Sequence, residues 1–389
     1  MALVEADRLK ALPPYLFLEI DRKKRAALEA GRDIIDLGVG DPDQPTHRFI
    51  IERMGRALVK PEHHRYPFGG GSAEFRRQIA AFFRKRYAIE LDPARELLAL
   101  IGSKEGIGHL PLAVVNPGQT VLIPTPGYPV YRAGTLFAGG EPHEMVLSAA
   151  GRWLPDFDAV PPAVAEKTVL MFLNYPNNPT GAVADLAFYE RAVAFARQYN
   201  ILIAQDAAYN EMYLSDDRPP SILQAPGARE VAIELHSASK TFNMTGWRIG
   251  FAVGNADVIA ALARIKANLD SGVFGAVQEA ACEGYAGLDR PELAETREMY
   301  RRRADLLCAG LRAAGFGVEV PKATFYVWAR VPDGYDSMTL CGKLLDEADV
   351  VGIPGAGFGR GGEGYVRFAL CVPVERIRVA IERLRRIKW

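Results

Sequence analysis

The residues best suited to chemistry are concentrated in His236-Ser237-Ala238-Ser239-Lys240-Thr241-Phe242-Asn243-Met244-Thr245-Gly246-Trp247-Arg248. Two serines and a lysine fall within four residues, and an arginine follows after one short loop. Hydroxyls and a guanidinium together offer a phosphate dianion several donors and a permanent charge. A lysine beside such a site can form a Schiff base with an aldehyde that carries the phosphate. Pyridoxal 5'-phosphate (PLP) is an aldehyde of this kind. Taken alone, the stretch also reads as a Ser/Lys-rich surface turn. The rest of the chain must therefore offer partners for the other parts of the cofactor.

Such partners recur at the ends of segments that read as strands. Leu97 to Ile101 is an apolar run that turns through Gly102-Ser103-Lys104-Glu105-Gly106 into a helix. Small residues at that turn leave the first helical N–H groups open to phosphate oxygens. The Walker spacing is missing, so ATP is not indicated. Thr120 to Pro124 ends near Tyr128, Thr168 to Asn174 near Asn178, Ile201 to Gln205 at Asp206 with Tyr209 just beyond, and Glu230 to Leu235 at Ser237. Gly38-Val39-Gly40-Asp41-Pro42-Asp43 allows a ligand to approach the backbone, or is a plain turn. Tyr66, before Pro67, sits in extended or loop backbone, where its phenol reaches a ligand or packs.

Two other patterns carry less. His63 and His64 point apart as chain neighbours and have no third ligand at metal spacing, so no metal site is predicted. Gly355-Ala356-Gly357-Phe358-Gly359 stands between two strand segments, not between a strand and a helix, which argues against NAD.

The elements that must position these residues alternate between strands and helices from residue 97 to about 253. That order predicts an α/β fold with a mostly parallel, doubly wound sheet. Ligands bind such sheets beyond the carboxyl ends of the strands, where Ser103, Tyr128, Asn178, Asp206 and Ser237 converge. The remainder differs in kind. A long amphipathic helix over Glu292 to Ala314, strands at Thr324 to Arg330 and Tyr365 to Leu370, and helices near Ser337 to Asp349 and Pro373 to Ile387 predict a smaller α+β domain. The N-terminal helix is expected to join it.

Length and composition agree with two domains: 389 residues, 49% hydrophobic and 24% charged. Lys+Arg and Asp+Glu balance at 47 each, so no global field favours nucleic acid or an anionic membrane. Cys282, Cys308, Cys341 and Cys371 form no CxxC pair and read as reduced thiols of a cytoplasmic protein. No signal peptide and no membrane-spanning run are read.

With these residues in hand, the chain resembles the PLP-dependent class I/II aminotransferases of fold type I over essentially its whole length. The matching motifs are Asn177-Asn178-Pro179-Thr180-Gly181, Asp206-Ala207-Ala208-Tyr209, Ser237-Ala238-Ser239-Lys240, Arg248 and Arg367, in that order. The resemblance is nearest to the subgroup acting on LL-diaminopimelate. It rests there on Leu12-Pro13-Pro14-Tyr15-Leu16-Phe17, Ile101 to Gly106, Asn243 to Arg248 and Asp270-Ser271-Gly272-Val273-Phe274. Aspartate- or alanine-type transamination and C–S lysis use the same core and stay open.

The resemblance implies a large domain over residues 45–285, with a seven-stranded sheet between helices, and a small domain from 1–44 and 286–389. It implies that Lys240 binds the cofactor and moves the proton, with Asp206 on the ring nitrogen, Tyr209 and Asn178 on the phenolic oxygen and Tyr128 on the ring face. Ser103, Lys104, Ser237, Ser239 and Arg248 would hold the phosphate, joined by Tyr66 from a second subunit of a homodimer. Arg367 and Gly40 would take the substrate α-carboxylate, and Tyr15 and Lys104 its distal end. The distal ammonium is left open among Glu74, Asn268 and Ser271.

Overall fold

A computed structural model of the chain describes residues 5–12 and 16–389, the side chains of 16–20 excepted. Ile35–Asp36 forms the first short strand, β1. The following seven strands build one sheet: β2 (Leu97–Leu100), β3 (Thr120–Thr125), β4 (Glu141–Val146), β5 (Thr168–Asn174), β6 (Leu202–Asp206), β7 (Ala232–Ser237) and β8 (Gly250–Gly254), in spatial order β2-β8-β7-β6-β5-β3-β4. β4, β3, β5, β6 and β7 pair in parallel, and β8 lies antiparallel to both β7 and β2. The predicted mostly parallel sheet is present.

The reversal of β8 matters for the site. It brings the strand's N-terminal end, just after Arg248, to the edge where β2, β3, β5, β6 and β7 have their C-terminal ends. Both faces of the sheet are covered. Met171, Leu173 and Ile203 pack with Phe83 and Phe188 on one side, and Leu170, Phe172 and Ala204 pack with Ile107 and Leu110 on the other. This explains why β5 and β6 read as continuous apolar runs. The sequence reading missed β4. It is the sheet's edge strand, carries Pro142, and is exposed or half-buried except at Met145, so neither an apolar run nor clean alternation marks it.

β9 (Gly317–Val318), β10 (Tyr326–Arg330), β11 (Val350–Val351), β12 (Ile353–Pro354) and β13 (Tyr365–Ala369) complete the strands. Four of them form an antiparallel sheet of order β12-β13-β10-β9. β11 pairs in parallel with β1, which ties the N-terminal segment to this C-terminal part. A separate core of Tyr300, Leu307, Phe325, Phe368 and Ile377 lies here, with Ile35 and Leu37 contributing from the N-terminal segment. The helix Pro291–Ala313 runs along it. The Gly355–Phe358 segment is a single 3₁₀ turn followed by another at Arg360–Gly362, not the start of a dinucleotide-binding helix. All four cysteines are buried and free. Among the described residues, no helix is long and apolar enough to cross a membrane.

Candidate active site

At the strand ends the two sheets face each other across a cavity of about 600 Å³. Its wall contains Gly40, Ser103, Lys104, Tyr128, Asn178, Asp206, Tyr209, Ser237, Ser239, Lys240, Arg248 and Arg367. One space therefore gathers twelve residues that the sequence reading singled out from separate motifs. Tyr66 does not line it. That side chain is 74% exposed, beside the equally exposed Phe68, with ring centroids 5.7 Å apart. Tyr15 lies outside the described residues, although Leu12 reaches the cavity.

The floor begins with β6. Its last residue, Asp206, is buried, and its Oδ2 accepts the Tyr131 hydroxyl at 2.8 Å. Its Oδ1 receives the Ala208 N–H at 3.3 Å. Burial pushes its carboxyl up to about 6, against these two hydrogen bonds and the nearby His236, which act the other way. Asn174, at the end of β5, donates its Nδ2 to the Asp206 carbonyl at 2.8 Å, and its Oδ1 accepts the Asn178 N–H at 2.8 Å. This pair of bonds fixes the Asn178 turn beside the end of β6.

Lys240 sits in the short helix Ala238–Thr241 that follows β7 directly. The Ser237 hydroxyl caps that helix by accepting the Ser239 N–H at 3.1 Å. Lys240 Nζ donates to the Gly40 carbonyl at 3.3 Å and lies 5.6 Å from the Phe325 ring centroid. Burial lowers the lysine's pKa, and the charges of Arg248 and Arg367 press the same way against Asp41. A lysine shifted toward its neutral form is a nucleophile and a base.

The corner that suits a phosphate lies between the turn before the helix Ser103–Val114 and Arg248. Gly102 has φ +77°, and a Cβ there would fall 2.6 Å from Arg248 Nη2, so the turn needs glycine for both conformation and space. Gly250 is constrained by space alone: a Cβ there would fall 2.3 Å from the His236 carbonyl oxygen and 2.9 Å from the Ser103 nitrogen. Behind the turn, Glu105 accepts the Ile101 N–H, and the buried Lys266 ammonium bridges Glu105 and Asp270.

The small sheet supplies the roof. Arg367 on β13 donates Nη1 to Asn178 Oδ1 at 2.9 Å and Nη2 to the Gly38 carbonyl at 2.8 Å. Its guanidinium lies 4.1 Å from the Tyr326 ring centroid, and its buried Nε has no hydrogen-bond partner. The Tyr326 hydroxyl pairs with that of Tyr209 at 3.2 Å. Burial holds the Tyr209 phenol well above its usual range, so it stays a hydrogen-bond donor. Gly40 approaches Tyr326 so closely that a Cβ would lie 2.0 Å from its hydroxyl.

These features fit PLP. A buried carboxylate that is costly to ionise alone suits a ring N–H cation, a glycine-lined helix start suits a phosphate, and an orphaned guanidinium nitrogen suits a carboxylate. Sequence reasoning missed Tyr131, Asn174, Tyr326 and Arg132, all of which line the cavity or support its residues. Tyr131 stands three residues after Tyr128 in Tyr-Pro-Val-Tyr; its N–H donates to the Tyr128 carbonyl at 3.2 Å, and the two ring centroids lie 5.9 Å apart. The others carried no motif.

A lysine, a buried carboxylate and a roofing arginine at the edge of this sheet suit PLP chemistry on amino acids, and the chain belongs to the class I and II aminotransferase family, whose model matches residues 32–384. It is thus a PLP-dependent transaminase by family and fold. The LL-diaminopimelate aminotransferase of Syntrophobacter fumaroxidans is 51% identical over 389 residues, 100% of both chains. That of Aquifex aeolicus is 51% identical over 385 residues, covering 98% of this chain and 99% of the relative. Among solved structures, substrate-bound BacF from Bacillus subtilis is similar with a TM-score of 0.94 at 40% identity, covering 99% of this chain and 98% of that one.

Proposed function

We propose that the protein is an LL-diaminopimelate:2-oxoglutarate aminotransferase, exchanging an amino group between glutamate and tetrahydrodipicolinate on the route to lysine. The observation that carries the transamination chemistry is Lys240, shifted toward neutrality and sharing one cavity with Asp206 and Arg367. Relatives named for this reaction, at 51% identity over nearly the whole chain, support the substrate.

Bound PLP supplies an electron sink for the pair released at the substrate Cα. Lys240 Nζ would act as the base that takes the proton from the substrate Cα and as the acid that gives it back. Asp206 would hold the ring nitrogen of the cofactor, with its carboxylate oriented by Tyr131. Asn178 and Tyr209 would donate to its phenolic oxygen, and Tyr128 would cover its ring. Ser103, Lys104, Ser237, Ser239 and Arg248 would hold its phosphate, with Tyr66 supplied by a second subunit. Arg367 takes the α-carboxylate as a fork, a geometry that lysine cannot reproduce, with Gly40 beside it. Tyr15 and Lys104 serve the distal end.

The reading includes a cytoplasmic homodimer with shared sites, a large domain over 45–285, and a small domain of 1–44 with 286–389. A panel of amino donors tests the substrate. With 2-oxoglutarate as acceptor, LL-diaminopimelate is expected to yield glutamate faster than meso-diaminopimelate, aspartate or alanine. A preference for aspartate or alanine, or ammonia release without glutamate, would overturn the assignment.

A further inference from the structure

The charges around the cavity do not balance, and the excess points to one residue. Among the described lining residues, Lys104, Arg132, Lys240, Arg248 and Arg367 are basic, and only Asp206 is acidic. Under the proposed function, Arg248 serves the phosphate, Arg367 the α-carboxylate and Lys240 the reacting carbon. Lys104 already serves the phosphate turn and the distal end, which leaves Arg132 as the lining cation without a role. A dicarboxylic substrate brings one further anion into this space.

Arg132 lies on the helix Val130–Phe137, one turn beyond Tyr128, and forms part of the cavity wall. Its Nη2 donates to Glu144 Oε1 on the edge strand β4. The other oxygen of the same carboxylate, Oε2, pairs with Arg360 Nε. One carboxylate thus stands between two guanidiniums, and the trio keeps a net positive charge. Arg360 belongs to a rim segment that stays docked to the large sheet without help from Arg132. The Gly127 N–H donates to the Phe358 carbonyl at 2.9 Å, and the Gly361 N–H to Thr125 Oγ1 at 3.1 Å. Glu144 therefore retains a charged partner if Arg132 turns away. The Arg132 and Glu144 side chains are 32% and 16% exposed. A partly exposed ion pair contributes little net stability, so an entering carboxylate can displace it. A guanidinium also offers the fork geometry that a carboxylate prefers.

We propose that Arg132 is a specificity-determining residue that binds the distal carboxylate of a dicarboxylic substrate, exchanging Glu144 for the ligand while Arg360 keeps Glu144 paired. The proposal rests on the aminotransferase reading of the cavity.

Two unreactive acids test it on the holoenzyme. Glutarate and pentanoate have five carbons each and differ only in the distal carboxylate. Binding is measured by calorimetry, together with the melting temperature of each variant. In the native protein glutarate is expected to bind more tightly than pentanoate. Arg132→Gln should weaken glutarate on the order of tenfold and leave pentanoate unchanged. Glu144→Gln should strengthen glutarate, because it removes the competitor for Arg132. Equal effects of Arg132→Gln on both acids, or no effect on either, would overturn the proposal. So would a Glu144→Gln variant that binds glutarate no better than the native protein, because a merely structural salt bridge predicts that result. Loss of the visible cofactor change on adding glutamate to the native holoenzyme would instead count against the aminotransferase reading, and the two acids would still decide the role of Arg132.

Discussion

Asp206 is a residue whose ionisation works against the protein that carries it. Its carboxyl is raised from 3.8 to about 6, chiefly by burial. Below pH 3.8 the folded and unfolded chains both bind the proton, so there is no penalty. Between 3.8 and about 6 the unfolded chain releases it first, and stability falls as pH rises. Above that window the cofactor-free protein bears the full cost, about 3 kcal/mol from a shift of roughly two units. Asp206→Asn should therefore melt at a higher temperature than the native cofactor-free protein at pH 7.5, with the gap closing toward pH 4. Its PLP affinity should fall, because the neutral amide no longer attracts a ring cation. Calorimetry at the two pH values checks the first expectation, and PLP titration the second. Equal melting temperatures at pH 7.5 would contradict the account. The residue's place was legible because it ends a buried apolar strand with an isolated acid. Its partner Tyr131 was not, because the contact depends on how the helix after Tyr128 packs over β6.

At the scale of elements, the site depends on turns that tolerate no side chain. Gly102→Ala would force a positive φ on an alanine and push its Cβ against the Arg248 guanidinium. The backbone cost is about 1–3 kcal/mol, because φ +77° with ψ 155° is a conformation essentially confined to glycine, and the arginine, being flexible, would move away from the phosphate corner. Roughly tenfold weaker PLP binding is expected with the fold retained. A fluorescence titration measures it, and an unchanged dissociation constant would show that this turn does not hold the phosphate. The elements themselves were largely legible. Runs such as Thr168–Asn174 and the long helix Pro291–Ala313 announce themselves by composition and periodicity. β4 was not, because an edge strand with a proline and mixed polarity buries too little to leave a pattern. Arg132 was hidden for a related reason: its role depends on Glu144 of that same strand and on Arg360 more than two hundred residues away.

At the scale of the whole molecule, the site draws on both sheets and, in our proposal, on a second subunit. Arg367 and Tyr326 come from the small sheet, Asp206 from the large one and Lys240 from the short helix after its strand β7, and Tyr66 stands exposed outside the cavity. Hybrid dimers test the sharing. Lys240→Ala chains should be inactive and Tyr66→Ala chains impaired in holding PLP. A mixed dimer of the two regains one complete site, and activity should return on mixing. Verified mixed dimers without recovery would contradict a shared site. That gathering of lobes was only partly legible. Ordered motifs brought Lys240, Asp206 and Arg367 to one family, but the closeness of Arg367 to Asn178 appears only when β13 is folded over the large sheet.

The central claim is that Lys240 is the residue that carries the cofactor. Borohydride reduction of the PLP-loaded protein fixes the lysine–aldehyde linkage, and peptide mass mapping locates it. The account predicts a phosphopyridoxyl group on the peptide containing Ser237-Ala238-Ser239-Lys240 and none after Lys240→Ala. A label on another lysine, or an equally labelled Lys240→Ala protein, would contradict it.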